Sequence, residues 1–178
     1  MRRLVTRLCA AALLAAASLA ASAAGIPTAY SPVVIEPKGA PAQAEFDLSA
    51  VLARAKRENK QLYVYLGASD CPYCRKYEAF LDKNAAELVP QFEKHKYIVV
   101  DLRSSLSMRA DKVLIRVGAS SVPYAEFQHS IGDQRARMLV YPSVWLFDAQ
   151  LKPLMQMPAG TGTFQTVPEQ LEILRLEQ

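Results

Sequence analysis

Cysteine and histidine are scarce in this chain of 178 residues, which contains three cysteines and two histidines. Cys9 lies in the N-terminal apolar segment, so the rest of the chain has only Cys71 and Cys74. Two cysteines cannot form the framework of a disulfide-stapled fold. They also cannot supply a four-ligand structural zinc site, because a second cysteine pair is missing. Arg75, directly after Cys74, excludes the CxxCH motif that attaches haem covalently.

A large excess of positive charge is missing as well, once the N-terminal segment is set aside. The full chain has 21 basic and 17 acidic residues and a formal net charge of +4. Arg2, Arg3 and Arg7 lie in the first 23 residues, so removing that segment leaves 18 basic residues and a net charge of about +1. A basic surface for nucleic acid is not indicated. We therefore expect no nucleic-acid partner.

Residues 1–23 have the three-part layout of a secretory signal peptide. Three arginines precede an alanine- and leucine-rich run, which ends in the small residues Ala21-Ser22-Ala23. A membrane anchor is less favoured, because this run barely spans a bilayer and turn-forming sequence follows at once. We predict a cleaved signal peptide and an exported protein, periplasmic in a Gram-negative bacterium or otherwise secreted.

The remaining chain reads as a leader followed by one domain. Residues 24–44 contain four prolines and little periodicity, and we interpret them as an extended leader or tether with a short strand at Val33 to Glu36. Residues 45–178 have the size of one domain with its own core. No internal repeat is found.

Hydrophobic periodicity predicts the elements of this domain. The expected order is a helix in 46–60, a buried strand at 61–68, a helix in 74–95 that Pro90 interrupts or restarts, and a strand at 96–103. A helical-looking piece at 107–119 and a stretch without clear period follow. A strand in 138–150, its hairpin partner in 151–160 and a last helix that begins near Pro168 close the chain.

The segment SDCPYCRKYEAF, residues 69–80, places Cys71 and Cys74 three positions apart, after a predicted strand and at a predicted helix start. At the first turn of a helix, unpaired N–H groups and the macrodipole stabilise an anion such as a thiolate. Cys71 would lie there, exposed, and attack a disulfide. Cys74 would be more buried and would resolve the mixed disulfide. Pro72 suits the first helical position, where a missing N–H costs nothing.

A second signal lies in YPSVWLFD, residues 141–148, where Pro142 directly precedes an apolar strand. Proline is tolerated at a strand start but not within a central strand. The order of strand, CPYC, helix, strand, this proline, hairpin and helix resembles the thioredoxin superfamily over roughly residues 45–178. The alternative is that Pro142 is an ordinary turn residue.

The resemblance implies an α/β, thioredoxin-like fold, with a central mixed sheet flanked by helices. An insertion at 104–137 would separate the CxxC half from the cis-proline half. It also implies that Pro142 is cis and packs beside the sulfurs, so that Pro142 and Tyr141 bind substrate. Pro72 and Tyr73, between the cysteines, would contact the partner as well.

The chain departs from that family in two respects. Members of the thioredoxin branch carry a buried acid on the strand before the cysteines, and Tyr65 occupies the corresponding position here. Proton transfer to and from Cys74 would then need water or another side chain. Cys71 and Pro142 are also 71 positions apart, more than in a minimal thioredoxin. Residues 104–137 could therefore carry a partner surface.

The expected function is exported thiol–disulfide exchange through a redox-active Cys71–Cys74 couple, with the reductase direction favoured over oxidase or isomerase. No dissociable cofactor is implied, because the couple carries its own electrons. The expected partners are protein disulfides or dithiols and a membrane or soluble redox protein that resets the couple. We expect a monomer, and a peripheral membrane contact stays open.

Two other roles for Cys71 and Cys74 stay open. A structural disulfide would gain little stability, since the loop that it closes is very short. Copper delivery could use the two thiolates with a third ligand such as His95 or His129.

Overall fold

The computed structural model describes residues 25–132, 139–157 and 166–175. The predicted signal peptide, 1–23, lies outside the described residues. Over the described part, the fold is mixed α/β, with a five-stranded mixed sheet flanked by helices and a second sheet of three strands.

The described part of the chain contains eight strands, five α-helices and two short 3-10 helices. The strands are β1 (Val33–Ile35), β2 (Ala44–Asp47), β3 (Gln61–Ala68), β4 (Tyr97–Ser104), β5 (Val113–Val117), β6 (Ser120–Pro123), β7 (Ser143–Phe147) and β8 (Pro153–Met157). The α-helices are α1 (Ser49–Glu58), α2 (Pro72–Lys83), α3 (Ala85–Lys94), α4 (Tyr124–Ser130) and α5 (Val167–Leu174), and short 3-10 helices span Thr28–Tyr30 and Ala110–Lys112.

The main sheet has the strand order β1-β4-β3-β7-β8. β1, β4 and β3 are parallel, whereas β7 and β8 join antiparallel. The central strand β3, sequence QLYVYLGA, is buried at every position after Gln61. Its continuous apolar and aromatic run is what a strand covered on both faces requires.

Two hydrophobic clusters lie on the two faces of this sheet. Leu62, Val64 and Leu66 of β3 pack with α1 and with the small sheet. Tyr63 and Tyr65, which alternate with them, pack with α2, α3 and α5. Because successive side chains of a strand point to opposite faces, one strand contributes to both clusters.

The small sheet corrects the prediction of a helical segment at 107–119. This region forms a short 3-10 helix and then β5, which pairs with β2 in parallel and with β6 antiparallel. Val113 and Ile115 are fully buried, whereas Leu114 and Arg116, which follow each of them, are only partly buried. This alternation has the period of two that a half-buried strand shows, and it outweighs the weak helical spacing.

Two further predictions are corrected at their boundaries. The helix expected in 46–60 starts only at Ser49, because 44–47 pair with β5 as β2. Pro90 lies inside α3, and the break between α2 and α3 falls at Asn84, whose side-chain amide donates to the Phe80 carbonyl at 2.7 Å.

The segment that we interpreted as a tether, 24–44, packs against the domain over its described residues. Ile26 and Tyr30 are buried in the cluster beneath α2 and α3, and the predicted short strand is present as β1, an edge strand of the main sheet. Tyr30 also donates its hydroxyl proton to the Leu81 carbonyl at 2.8 Å. The domain therefore begins before residue 45.

The strands and the helix predicted near the C-terminus are present as β7, β8 and α5, and Pro168 lies in the first turn of α5. None of the described helices is long and apolar enough to span a bilayer.

Candidate functional site

Cys71 and Cys74 lie at the point where the central strand gives way to a helix. β3 ends at Ala68, and α2 begins at Pro72 with Cys71 as its N-cap. Proline occupies the first helical position, as predicted, because it lacks only an N–H that would be unpaired there. Both cysteines are free thiols. The backbone N–H of Cys74 donates to the Cys71 sulfur at 3.1 Å.

The predicted exposure of Cys71 is wrong, because only 2% of this residue is exposed. Cys71 and Cys74 both belong to the hydrophobic cluster on the α1 face of the sheet. Pro72 and Tyr73 form the outer surface of the motif instead, and 46% of Tyr73 is exposed. A partner that approaches the sulfurs therefore meets Tyr73 first.

The segment before β7 places Pro142 at the end of the main sheet from which β3 leads to the cysteines. Ser143 pairs with Leu66 in the antiparallel ladder between β7 and β3, so Pro142 lies beside the end of β3 that leads to Cys71. The Tyr141–Pro142 peptide bond is cis.

Tyr141 lies close enough to both thiols for electrostatic interaction. Its hydroxyl donates to Ser104 Oγ at 2.7 Å, at the end of β4. Burial is the main cause that raises the pKa of Tyr141 to about 12, so this residue is a neutral hydrogen-bonding side chain at neutral pH. Cys71, Cys74, Pro142 and Tyr141 thus come together at one end of the main sheet.

The loop after β4 is tied to the cysteine loop through Asp70. The Asp70 carboxylate accepts the N–H of Leu106 at 2.8 Å and the hydroxyl of Ser105 at 3.3 Å. The Leu106 N–H is the main cause that lowers the pKa of Asp70. The start of the predicted insertion is therefore held at the site.

Exposed apolar side chains surround the motif. Tyr73, Leu106 and Val140 are exposed by 46%, 49% and 37%, and they are three of the four large hydrophobic residues that the described part of the chain exposes. They flank the cysteines from α2, from the loop after β4 and from the segment before the cis bond. Apolar side chains that are exposed beside a site offer contacts to a bound polypeptide.

Cys74 is enclosed by the protein. The N–H of Ala68 lies 3.5 Å from its sulfur, and the Tyr65 hydroxyl lies within hydrogen-bonding reach. Burial is the main cause that raises the pKa of the Cys74 thiol, and the contact with Cys71 adds to it. Cys74 is therefore a thiol at neutral pH.

Behind Cys74 lies a buried acid that the sequence analysis missed. The Tyr65 hydroxyl donates to Oε1 of Glu78 at 2.8 Å. Arg75 donates from Nη2 to the same oxygen at 2.7 Å, and Glu78 is only 7% exposed. Burial is the main cause that raises the pKa of Glu78, against the lowering effect of Tyr65 and Arg75. The available signal was the spacing, since Glu78 follows Cys74 by four positions and so shares its helix face.

A second acid, Asp101 of β4, lies next to this group. Its Oδ2 accepts the N–H of Ile26 at 3.1 Å and Nε of Arg103 at 3.0 Å. Its Oδ1 is buried and has no hydrogen-bond partner among the described residues. A cavity of about 20 Å³ lies between Tyr65, Glu78 and Asp101, which is room for a single water molecule.

The described residues do not assemble a metal site around the cysteines. No group of three or more His, Cys, Asp or Glu side chains in the described ranges is placed to hold a metal ion. β4 runs parallel to β3, and His95 comes just before β4 begins, whereas the cysteines follow the end of β3. His95 therefore lies at the opposite end of the strands from the cysteines. His129 lies in the last turn of α4 and belongs to no such group either.

Comparison with protein-family models and with curated proteins finds no match for this chain.

Proposed function

We propose that this protein is an exported, thioredoxin-like thiol–disulfide oxidoreductase that acts on protein substrates through Cys71 and Cys74. The observation that supports it best is the convergence of the two cysteines with the cis Tyr141–Pro142 bond at one end of the main sheet. These features are far apart in sequence, and a purely structural role for the dithiol would not require them to meet.

The reaction begins at the thiolate of Cys71. It attacks one sulfur of a substrate disulfide, so that a bond forms between Cys71 and that sulfur while the second substrate sulfur leaves as a thiolate and takes up a proton. A donor at the sulfur favours the anionic form, and the Cys74 N–H at 3.1 Å is such a donor.

The second step regenerates a free substrate. Cys74 loses its proton and attacks the Cys71 sulfur, forming the Cys71–Cys74 disulfide and expelling the remaining substrate thiolate. The substrate gains two electrons and the protein loses two. A partner dithiol then reduces the couple by the same steps in reverse, which is the direction that we favour.

The surroundings of the cysteines support a polypeptide as substrate. Tyr73, Leu106 and Val140 present apolar area around the site, and the cysteines lie beneath it. A protein segment that covers this patch would bring its disulfide to the end of α2.

Trapping of the intermediate tests the proposal. The full chain, with Cys9→Ser so that two thiols remain, is mixed with insulin as a disulfide-bonded test protein. In that background, Cys74→Ser should accumulate a mixed disulfide through Cys71, detected by mass spectrometry, and Cys71→Ser should form none. Ser69→Ala, in the same loop, is the matched control and should turn over normally.

Absence of both mixed disulfide and turnover would contradict the proposed function. Stoichiometric binding of Cu(I) by the dithiol, without any disulfide exchange, would instead support the copper-delivery alternative.

A further inference from the structure

The resolving step requires that the buried Cys74 lose a proton inside the protein. Cys74 is fully buried, and Tyr65 occupies the strand position from which an acid could have reached it. The groups that contact its sulfur are Cys71, the Ala68 N–H and the Tyr65 hydroxyl. In the mixed disulfide the Cys71 sulfur is bonded to the substrate and the Ala68 amide only donates, so the Tyr65 hydroxyl is the one group among these that can accept a proton and release another.

The hydrogen bonds of Tyr65 have a definite direction. A phenol carries one proton, and Tyr65 donates it to Glu78 Oε1 at 2.8 Å. With that proton on the Glu78 side, the Tyr65 oxygen keeps lone pairs that can accept the S–H of Cys74, whose sulfur the same hydroxyl reaches. Thiol, hydroxyl and carboxylate can therefore form a chain in which each proton points toward Glu78.

Glu78 is the last member of this series of hydrogen-bonding groups, and its side chain is buried. The charged groups that face it are Arg75 on its own helix and Asp101 on β4, whose Arg103 neighbour lines the same small cavity. The N–H of Gly25 also donates to it. Burial raises the pKa of Glu78 from its ordinary value, which strengthens this carboxylate as a proton acceptor.

We propose that Glu78 accepts the proton of Cys74 through the Tyr65 hydroxyl during resolution and returns it when Cys74 is expelled. This inference rests on the proposed function. In the forward step, the Cys74 S–H bond breaks, the proton passes to the Tyr65 oxygen, and the proton already on Tyr65 passes to the Glu78 carboxylate. The Cys74 thiolate then forms the bond to Cys71, while the substrate thiolate leaves.

In this relay Tyr65 accepts one proton while it gives up another, so it never carries a net charge. Burial and the neighbouring acid and thiol raise its pKa far above the usual value for a tyrosine, so the phenolate is not a stable intermediate. The two proton shifts must therefore occur together. Gly67 makes the arrangement possible, since a Cβ at that position would lie 2.7 Å from the Tyr65 hydroxyl oxygen.

The test separates the two chemical steps by acid-quenched flow. The full chain with Cys9→Ser is reduced and mixed with oxidised glutathione, and mass spectrometry follows the glutathione adduct on Cys71 as it forms and decays. Glu78→Gln and Tyr65→Phe should each slow the decay at pH 7 by about a hundredfold or more, the lower end of general acid–base effects. Their formation rates should stay within about twofold of the parent, because the first attack does not use the relay.

The pH profile identifies proton transfer rather than a structural effect. Without the relay, hydroxide or solvent must take the proton, so the decay rate of both variants should rise about tenfold per pH unit below the pKa of Cys74. The parent should depend on pH far less. The double variant should be no slower than either single variant, since both changes cut one path.

Two matched variants serve as controls. Asp82→Asn removes an exposed carboxylate from the same helix, and Tyr77→Phe removes a buried hydroxyl that contacts Tyr63 and Gln170 instead of Cys74. Both should resolve the adduct at the parent rate.

Fast resolution with a parent-like pH profile in Glu78→Gln or Tyr65→Phe would overturn the relay and leave the proposed function intact. If one of the two variants does not fold, the other decides. No adduct in the parent, by contrast, would overturn the proposed function itself.

Discussion

Substitution of Gly67 by alanine should destabilise the protein through one identifiable clash. Gly67 precedes the last residue of β3, and a Cβ there would lie 2.5 Å from Cε1 of Tyr65 and 2.8 Å from its Cζ. Both ring atoms belong to a fully buried side chain that packs against Tyr77, so the ring cannot swing into solvent.

Two effects of opposite sign determine the size of the loss. Overpacking of a filled core costs about 1–3 kcal/mol. Removal of a glycine lowers the entropy of the unfolded chain and recovers about 0.4–1 kcal/mol. The clash prevails, and for a protein of this size each kcal/mol lowers Tm by roughly 2–4 °C. Urea unfolding should show a lower midpoint at an unchanged m-value.

A double-mutant cycle assigns the loss to the Tyr65 ring. In a Tyr65→Ala background, the clash is absent, so Gly67→Ala should be neutral or slightly stabilising, with a coupling energy of about 1–3 kcal/mol. A Gly67→Ala protein as stable as the parent, or an equal loss in both backgrounds, would refute the reasoning.

Three further predictions concern neighbours of the cysteines. Tyr141→Phe leaves Ser104 without its donor and should cost about 0.5–1.5 kcal/mol in urea unfolding; an unchanged midpoint would show that this hydrogen bond contributes nothing. Asp70→Ala removes the acceptor of the Leu106 N–H, so limited proteolysis should cut the loop after β4 faster than in the parent. Equal rates of cutting would show that Asp70 does not hold this loop. Glu78 binds its proton more tightly when folded than when unfolded, since its pKa is raised from 4.5. The free energy of unfolding should therefore fall as pH rises above 4.5, and Glu78→Gln should remove that contribution; equal pH slopes in both proteins would contradict it.

Elements with a strong and continuous pattern could be predicted from the sequence. The run QLYVYLGA can only be a strand covered on both faces, and Pro72 and Pro142 mark a helix start and a strand start because proline tolerates few other places there. The meeting of Cys71 with Pro142 followed from strand order, which a family resemblance supplied and periodicity alone could not.

Elements that depend on distant pairing could not be predicted in this way. β2 and β5 are short, and each is a strand because the other lies beside it, as with Phe46 opposite Ile115. Their local spacing also suits a helix. Likewise, the sequence alone assigns Ile26 and Tyr30 to the leader. Only the folded structure shows that both fill space in the hydrophobic cluster beneath α2 and α3.

The buried acid was missed for the same reason. Glu78 follows basic and aromatic residues on a helix whose exposed face is charged, and a glutamate there is usually solvated. Only the contact with Tyr65 on the neighbouring strand shows that the Glu78 side chain points inward. The departure at Tyr65 from the pattern that the chain resembles was visible in the sequence, but the role that we propose for Glu78 depends on the packing of α2 on β3.

The reduction potential of the Cys71–Cys74 couple tests the central claim most directly. The full chain with Cys9→Ser is equilibrated in a dithiothreitol or glutathione series, and free thiol is quantified at each potential. We predict one reversible two-electron transition between about −270 and −120 mV, the range that dithiol oxidoreductases span, and nearer the reducing end if the favoured direction is right. The absence of any reversible transition would contradict the account.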